Sequence, residues 1–322
     1  MKKKNISIIL PVRIGDSIMS IPMLLCLKQL NEKYQSNLGI KVITRPFLHR
    51  LFSELNLFNC KSMSMFEKAK SILNTPHKAF FLETTNKNLG YTSKKSYGND
   101  NPCKKLLKFS QQLPYLNFRE VENHLPKELI SFLQNKYGLC FYSISHFGIC
   151  LDLGFSVEQI INTFQLYPEI IDLKNFQKPL IKGLYIVGCM EAGYGRKDNE
   201  HRFWEKENHY ETARKCYEDY RIKTVFIGVD TSFRLPNREY IIDFRKKLNL
   251  YEAACLIKSS LGYIGNDTGP LHIANLMQKP SISLYFKENL LAGYPFFPKL
   301  NIQVYKPQNI DELYDKVKHI LY

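Results

Sequence analysis

The residues best suited to chemistry lie in one segment of the second half, from Gly265 to Asn275, which reads GNDTGPLHIAN. An apolar run precedes this segment and helical spacing follows it, so it is predicted to join a buried strand to a helix. Its glycines let a ligand approach the backbone, and the start of the helix offers unpaired N–H groups to a phosphate. Asp267 can accept hydrogen bonds from hydroxyl groups of a ligand. Taken alone, Asp267 and Thr268 are equally well explained as a helix cap.

A second candidate lies near the start of the chain. The apolar run from Ile6 to Leu10 leads into a turn with Gly15 and Asp16, after which apolar residues recur at helical spacing. This pattern predicts a strand, a turn and a helix. A carboxylate in the turn can take the proton from an attacking hydroxyl, which is worth roughly 10²–10⁴ in rate. The alternative is that Asp16 only caps the helix.

The third candidate is a loop rich in glycine and basic residues, 188–204, which follows an apolar strand predicted at 183–188. A cation in this loop, such as Lys197 or Arg202, can stabilise the negative charge of a phosphate group. An ordinary basic surface loop explains the same residues without a ligand. Trp204, the only tryptophan, is predicted to anchor the loop in the core.

These candidate segments need a sheet to hold them, and the chain alternates strands and helices in the way that a parallel sheet requires. The strands predicted in the first half are 6–10, 41–44 and 79–82. Those predicted in the second half are 183–188, 223–228, 261–265 and 281–286, with a helix over 251–258. The pattern therefore predicts an α/β protein. Residues 86–175 carry no motif that indicates a function.

The length of 322 residues is enough for two domains of ordinary size. A segment with two prolines, 166–181, precedes the first strand of the second half, and we place the linker there. The predicted domains are residues 1–175 and residues 176–308. The final segment, 309–322, has its apolar residues on one helical face and is predicted to pack back toward the seam between the domains.

The composition is that of a folded globular protein, with 44% hydrophobic and 23% charged residues. The 8 cysteines are scattered singly, which argues against a zinc site or a disulfide framework and favours the reducing cytoplasm. Arg13 and Asp16 interrupt the first apolar run, so no secretory signal is predicted. No run of about 18 apolar residues occurs, so no transmembrane helix is expected.

The charge balance, 45 Lys+Arg against 30 Asp+Glu, gives a net charge of +15. Such a chain attracts polyanions, whether nucleic acid, anionic lipid or phosphorylated substrates. The basic residues lack the spacing and motifs of a nucleic-acid-binding module, so no nucleic acid partner is expected. Peripheral contact with the inner face of the cytoplasmic membrane stays open.

The segment that begins at Gly265 resembles the glycosyltransferases of family 9, the heptosyltransferase family, whose hallmark reads approximately G-N-D-[ST]-G-P-x-H-x-A-A. The preceding residues, 248–257, are similar to the family's helix of the type S-L-x-E-x-A-x-L-I. The start of the chain resembles the family's first strand, its S-x-G-D turn and its L-P-A-L helix, with Pro22 in common. Here Pro11 and Arg13 stand in the turn where small residues are usual, which leaves the acceptor in doubt.

The resemblance implies a role for each candidate residue. Asp16 takes the place of the proposed general base, and Arg13 and Gly15 lie on the acceptor side, where Arg13 either contacts an acceptor phosphate or is solvated. Arg202 is the positional counterpart of the basic residue that binds the donor diphosphate, with Lys197 nearby. The resemblance assigns donor binding to the following residues: Gly193, Lys197, Arg202, Asn266, Asp267, Thr268, Gly269 and His272.

For the whole chain, the resemblance implies a GT-B fold of two facing Rossmann-like domains with parallel sheets. The implied reaction is an inverting transfer without a metal or cofactor, in which ADP-heptose is the donor and a lipopolysaccharide core or related glycan is the acceptor. One alternative is a transferase of the same fold that uses another nucleotide sugar. The other is a catalytically silent protein that binds nucleotide sugars or polyanions.

Overall fold

The computed structural model separates the chain into two compact units, Met1–Asp172 and Leu173–Tyr322. Each unit is an α/β structure with its own sheet. The structure describes residues 4–11, 13–63, 78–84, 89–94, 125–191, 204–286 and 294–321.

The first unit contains a sheet in the order β3-β2-β1-β4-β5. Its strands are β1 (Lys4–Ile9), β2 (Leu38–Thr44), β3 (Asn59–Ser62), β4 (Lys78–Thr84) and β5 (Leu89–Lys94). Ile6, Ile8 and Ile9 are at most 2% exposed, because β1 is central and both of its faces are covered. The strands predicted at 6–10, 41–44 and 79–82 are confirmed as β1, β2 and β4.

One strand of the first sheet departs from the predicted parallel arrangement. The pairs of β1 with β2, β1 with β4 and β2 with β3 are parallel, whereas β5 runs antiparallel to β4. The connection from Thr84 to Leu89 is too short for the crossover of a dozen or more residues that a parallel neighbour requires. The chain therefore turns back as a hairpin at this edge of the sheet.

Seven helices are described in the first unit. They are α1 (Ile14–Ile18), α2 (Ile21–Lys33), α3 (Pro46–Glu54), α4 (Lys127–Tyr137), α5 (Phe141–Ser145), α6 (Gly148–Asp152) and α7 (Val157–Ile161). Pro22 stands in the first turn of α2, where its missing N–H costs no hydrogen bond. Helix α4 ends at Gly138, whose φ of 63° is the left-handed conformation that glycine adopts readily.

The second unit contains a sheet in the order β11-β10-β9-β6-β7-β8, and all of its pairs are parallel. Its strands are β6 (Tyr185–Cys189), β7 (Lys223–Phe226), β8 (Ile241–Asp243), β9 (Tyr263–Asn266), β10 (Ser281–Tyr285) and β11 (Asn301–Tyr305). The chain builds outward from β6 to β8 and then returns to the other side of β6 with β9. The strand order therefore reverses between β6 and β9, the position at which open α/β sheets bind ligands.

Helices cover both faces of the second sheet. They are α8 (Lys206–Tyr220), α9 (Leu250–Ser259), α10 (Gly269–Leu276) and α11 (Ile310–Leu321). Ile186 and Ile264 lie in a buried cluster with residues of α8 and α11. On the opposite face, the hydroxyl of Tyr185 donates a hydrogen bond to the carbonyl oxygen of Leu256 in α9, at 2.9 Å.

The apolar face of the C-terminal helix packs within the second unit. Leu313, Val317 and Ile320 are buried in the core of that unit, where α11 contacts α8 and β10. The predicted packing toward the seam between the domains stays a prediction. The amphipathic pattern identified the helix correctly, but it cannot say which apolar surface lies opposite.

Within the described ranges, no helix is long and apolar enough to cross a membrane.

Candidate functional site

The turn between β9 and α10 lies beside the point where the strand order of the second sheet reverses. Asn266 ends β9, Thr268 is the N-cap of α10, and Gly269 and Pro270 begin the helix. The Thr268 side chain makes no capping hydrogen bond, and the first turn of α10 contains no acidic residue. The N-terminus of α10 therefore has the donors and the positive dipole end that suit an anion.

Asn266 fastens this turn to the neighbouring strand. Its side chain is completely buried, and its Nδ2 donates a hydrogen bond to the carbonyl oxygen of Met190, at 2.8 Å. Met190 directly follows β6, so the bond joins the ends of β6 and β9. The sequence predicted that Asn266 binds the donor. The structure shows that its amide holds this turn against the end of β6.

The surroundings of Gly265 leave no room for a side chain. A Cβ at this position would lie 2.5 Å from the Tyr263 hydroxyl oxygen and 2.6 Å from the Cys189 carbonyl oxygen. Tyr263 is fully buried, and this burial raises its pKa well above the usual range. The requirement for glycine thus comes from packing beneath the turn, whereas the sequence suggested close approach of a ligand.

His272 and Asp267 lie on the same side of the turn. His272 is 4% exposed, and its Nε2 lies 3.7 Å from Oδ1 of Asp267, which is longer than an ordinary hydrogen bond. Its Nδ1 is buried and has no hydrogen-bond partner among the described residues. The structure thus brings together Asn266, Asp267, Thr268, Gly269 and His272, the predicted donor-binding residues of this segment.

Glu191 is a polar residue at this edge of the sheet that the sequence did not single out. It follows the end of β6, and its Oε1 accepts a hydrogen bond from the backbone N–H of Asp230, at 2.5 Å. The carboxylate occupies the space beside Gly228, whose φ of 141° also favours glycine. Gly228, at the end of the predicted strand 223–228, was the only signal in the sequence for this contact.

Arg245 organises the loops that follow β7 and β8. It is 4% exposed, and its Nε and Nη2 donate to the two carboxylate oxygens of Asp243, at 3.0 and 2.9 Å. It also donates to the carbonyl oxygens of Asp230 and Phe233, both at 3.1 Å. The hydrogen bond from Arg245 lowers the pKa of Asp243. The loop that carries Asp230 is therefore held by a buried cation.

The first unit places Arg13, Gly15 and Asp16 together at the start of α1. Arg13 is the exposed N-cap of α1, and Asp16 lies in the first turn of that helix. The backbone N–H of Ser17 donates to the Arg13 carbonyl at 3.0 Å, and its hydroxyl donates to the Pro11 carbonyl at 2.9 Å. The predicted strand, turn and helix are confirmed.

The predicted donor residues Gly193, Lys197 and Arg202 lie outside the described residues. Trp204, at the end of the same loop, is 6% exposed and packs edge to face against His209, with ring centroids 5.5 Å apart. Its predicted place in the core is confirmed. Across the described part of the chain, no three His, Cys, Asp or Glu side chains form a cluster that could hold a metal ion.

Part of the second unit matches the model of a known family. Residues 236–306 match the model of glycosyltransferase family 9 (heptosyltransferase). The matched region runs from just before β8 through β11 and contains the whole turn between β9 and α10. No curated protein matches the sequence of the chain.

Several solved structures share the fold of the chain. The ADP-heptose lipopolysaccharide heptosyltransferase II of E. coli has a TM-score of 0.61 and 15% identity, covering 98% of each chain. A family 9 glycosyltransferase from Veillonella parvula has a TM-score of 0.60 and 14% identity, covering 99% of this chain and 90% of its own. The E. coli heptosyltransferase WaaC, solved with ADP, has a TM-score of 0.50 and 11% identity, covering 98% and 99%. At such identities the similarity establishes the fold.

Proposed function

We propose that the chain is a glycosyltransferase of family 9 and that it transfers a heptosyl group from ADP-heptose to a lipopolysaccharide core or related glycan. The match of residues 236–306 to the model of that family and the fold shared with heptosyltransferase II of E. coli support this proposal. The transfer inverts the anomeric centre and uses no metal. The turn between β9 and α10 carries this proposal, because it combines an uncapped helix N-terminus with Asp267 and His272 where the strand order reverses.

On the donor side, the N–H groups at the start of α10 bind the diphosphate, and His272 lies in the same first turn. Asp267, whose side chain is 31% exposed, accepts hydrogen bonds from the sugar hydroxyls. Arg202, assisted by Lys197 and by the backbone at Gly193, stabilises the charge on the departing nucleotide. An adenosine diphosphate donor is supported by the WaaC structure, which contains ADP.

On the acceptor side, Asp16 is the general base. The acceptor hydroxyl oxygen forms a bond to the anomeric carbon, its proton passes to the Asp16 carboxylate, and the bond from that carbon to the diphosphate oxygen breaks. ADP leaves with the electron pair of the broken bond. Arg13 and Gly15 lie beside Asp16 in the same turn and contact the acceptor. The basic surface, with a net charge of +15, brings the enzyme to an anionic membrane from the cytoplasmic side.

A thermal-shift screen with ADP-, GDP-, UDP- and CMP-sugars tests the donor. A ligand that binds only the folded protein raises its melting temperature in proportion to the logarithm of concentration over Kd. We expect a selective shift with ADP-heptose. A selective shift with another nucleotide sugar would replace the donor and keep the reaction type. Binding without transfer to any glycan acceptor would instead favour a silent nucleotide-sugar-binding protein.

A further inference from the structure

The carboxyl edge of β2 in the first unit carries polar groups for which the described residues supply no partner. Strand β2 ends at Thr44, Arg45 is the N-cap of α3, and Pro46 begins the helix. Thr44 is 2% exposed, and its hydroxyl has no hydrogen-bond partner among the described residues. The same holds for the buried Nε of Arg45. Buried polar groups are almost always paired, so two adjacent unpaired groups call for a partner that the described residues do not supply.

The charge around these two groups is positive. Helix α3 has no acidic residue in its first turn, and the Arg45 side chain makes no capping hydrogen bond. Among the described residues, no carboxylate forms an ion pair with Arg45. A guanidinium group beside the N-terminus of a helix of nine residues is an environment that favours an anion.

A second arginine, Arg13, follows the end of the neighbouring strand β1 at the same edge of the sheet. β1 and β2 are adjacent and parallel, and the Leu10 N–H donates to the Ile43 carbonyl at 2.9 Å. Arg13 follows three positions after Leu10, and Arg45 follows two positions after Ile43. Adjacent strands are about 4.8 Å apart, so the two arginine backbones leave the edge as neighbours.

We propose that Arg45, together with Arg13, Thr44 and the N-terminus of α3, binds an anionic group, a phosphate or a carboxylate, on the acceptor. This inference rests on the proposed glycosyl transfer and assigns the acceptor a charge class. Arg45 holds the anion through its planar guanidinium, which can form two parallel hydrogen bonds to such a group. The carboxyl edge of β2 is thus a subsite that selects charged glycans over neutral ones.

Direct binding by calorimetry tests the proposal, with the donor site first filled by ADP. The probes are glucose 6-phosphate, glucuronate and glucose, which separate a phosphate from a carboxylate and both from a neutral sugar. We expect one charged probe to bind the wild-type protein at least about tenfold more tightly than glucose, since charge-assisted hydrogen bonds are about twice as strong as neutral ones. Equal binding of all three probes would overturn the proposal.

Two variants of α3 make the test specific. Arg45→Met keeps an aliphatic stem and removes the charge, and we expect it to lose at least about tenfold in affinity for the charged probe. Arg50→Met is the matched control, because Arg50 lies on the same helix, is 60% exposed and pairs with Glu54. The control should leave the affinity within about twofold, as surface ion pairs contribute little. Equal losses in both variants would show a general charge effect and contradict the site.

Further readouts separate this subsite from the fold and from the proposed reaction. Arg45→Lys keeps the charge but loses the planar fork, and it should recover part of the affinity that Arg45→Met loses. ADP binding should be unchanged in both variants, which shows that they are folded. If the charged probe binds through Arg45 but no nucleotide sugar is consumed, the subsite stands and the proposed transfer fails. If transfer proceeds and Arg45→Met leaves the acceptor KM unchanged, the subsite fails alone.

Discussion

The turn after β9 and the turn after β1 share the plan of strand, turn and helix, yet the chain holds them in different ways. In the turn after β9, the Asn266 amide bonds to Met190, which lies 76 positions away in the sequence. Gly265 is confined by the Tyr263 ring and by the Cys189 carbonyl of the adjacent strand. This turn is therefore fixed by distant parts of the chain.

The turn after β1 is held by contacts within a few residues. Ser17 bonds to Pro11 and Arg13, and α1 has only five residues. Arg13 is exposed there, where the family has small residues. We infer that the donor diphosphate binds at the rigid turn after β9, because the enzyme binds the same diphosphate in every reaction. We also infer that the acceptor side is less constrained, and this is where the sequence departs from the pattern of the family that it resembles.

The largest expected effect comes from a substitution in the turn after β1, which should stop the reaction and leave the turn after β9 unchanged. Asp16→Asn removes the proposed base and should lower kcat by roughly 10²–10⁴, because proton transfer to a positioned carboxylate contributes about that much. Initial rates with a saturating donor measure this loss. The melting shift produced by the donor should stay as in the wild type, since Asp16 does not bind it. Transfer at close to the wild-type rate would remove Asp16 from the mechanism.

A buried histidine in each unit makes the stability of the two units depend on pH. Burial lowers the pKa from 6.5 to about 3 for His146 in the first unit and to about 4 for His209 in the second. Both histidines are neutral in the folded protein. Above about pH 6.5 they are also neutral in the unfolded chain, so they cause no loss of unfolding free energy there. Below pH 6.5 each histidine binds a proton in the unfolded chain but not in the folded protein. The unfolding free energy therefore falls until the pH reaches the pKa of that histidine in the folded protein.

Each histidine should remove about 1.4 kcal/mol of unfolding free energy per pH unit within its window. The loss of unfolding free energy should extend to a lower pH in the first unit, because the folded pKa of His146 is lower than that of His209. Urea unfolding between pH 7 and pH 4 measures the slope. His146→Leu and His209→Leu should each flatten it, and a variant with an unchanged slope would show that its histidine does not titrate in this way.

Gly265→Ala tests how tightly the turn after β9 is packed. The added methyl group meets the Tyr263 hydroxyl and the Cys189 carbonyl, so we expect a loss of about 1–3 kcal/mol, as for other overpacked sites. Denaturant unfolding measures it. Adding Tyr263→Phe removes one of the two contacts and should recover part of the loss. If Gly265→Ala is as stable as the wild type, the turn is not constrained as described.

The smallest expected effect concerns the contact of Glu191 with the loop after β7. Glu191→Gln keeps an acceptor for the Asp230 N–H and removes the charge, so we expect a loss of about 0.5–1.5 kcal/mol in stability. Glu191→Ala should cost more, because it also removes the acceptor. If Glu191→Gln and Glu191→Ala lose the same amount of unfolding free energy, the charge rather than the hydrogen bond holds the loop.

The sequence predicted the strands and turns that carry the donor segment because their periodicity is strong. Strands β3, β5, β8 and β11 were missed, since they are short or lie at an edge and carry no continuous apolar run. β8 has only three residues of intermediate burial. Arg245 was likewise invisible as a buried cation, because nothing in its neighbourhood in the sequence separates it from the surface arginines.

By itself, the sequence determined the local units: an apolar strand, a turn of small residues and Asp267, and a helix that begins with glycine and proline. Such units depend on neighbouring residues, and a local pattern can therefore encode them. Only the tertiary structure decided why Gly265 cannot carry a side chain and where the Asn266 amide bonds. It also left the buried Nε of Arg45 without a hydrogen-bond partner among the described residues. These features depend on strands that are far apart in the chain and become neighbours only when the sheets form.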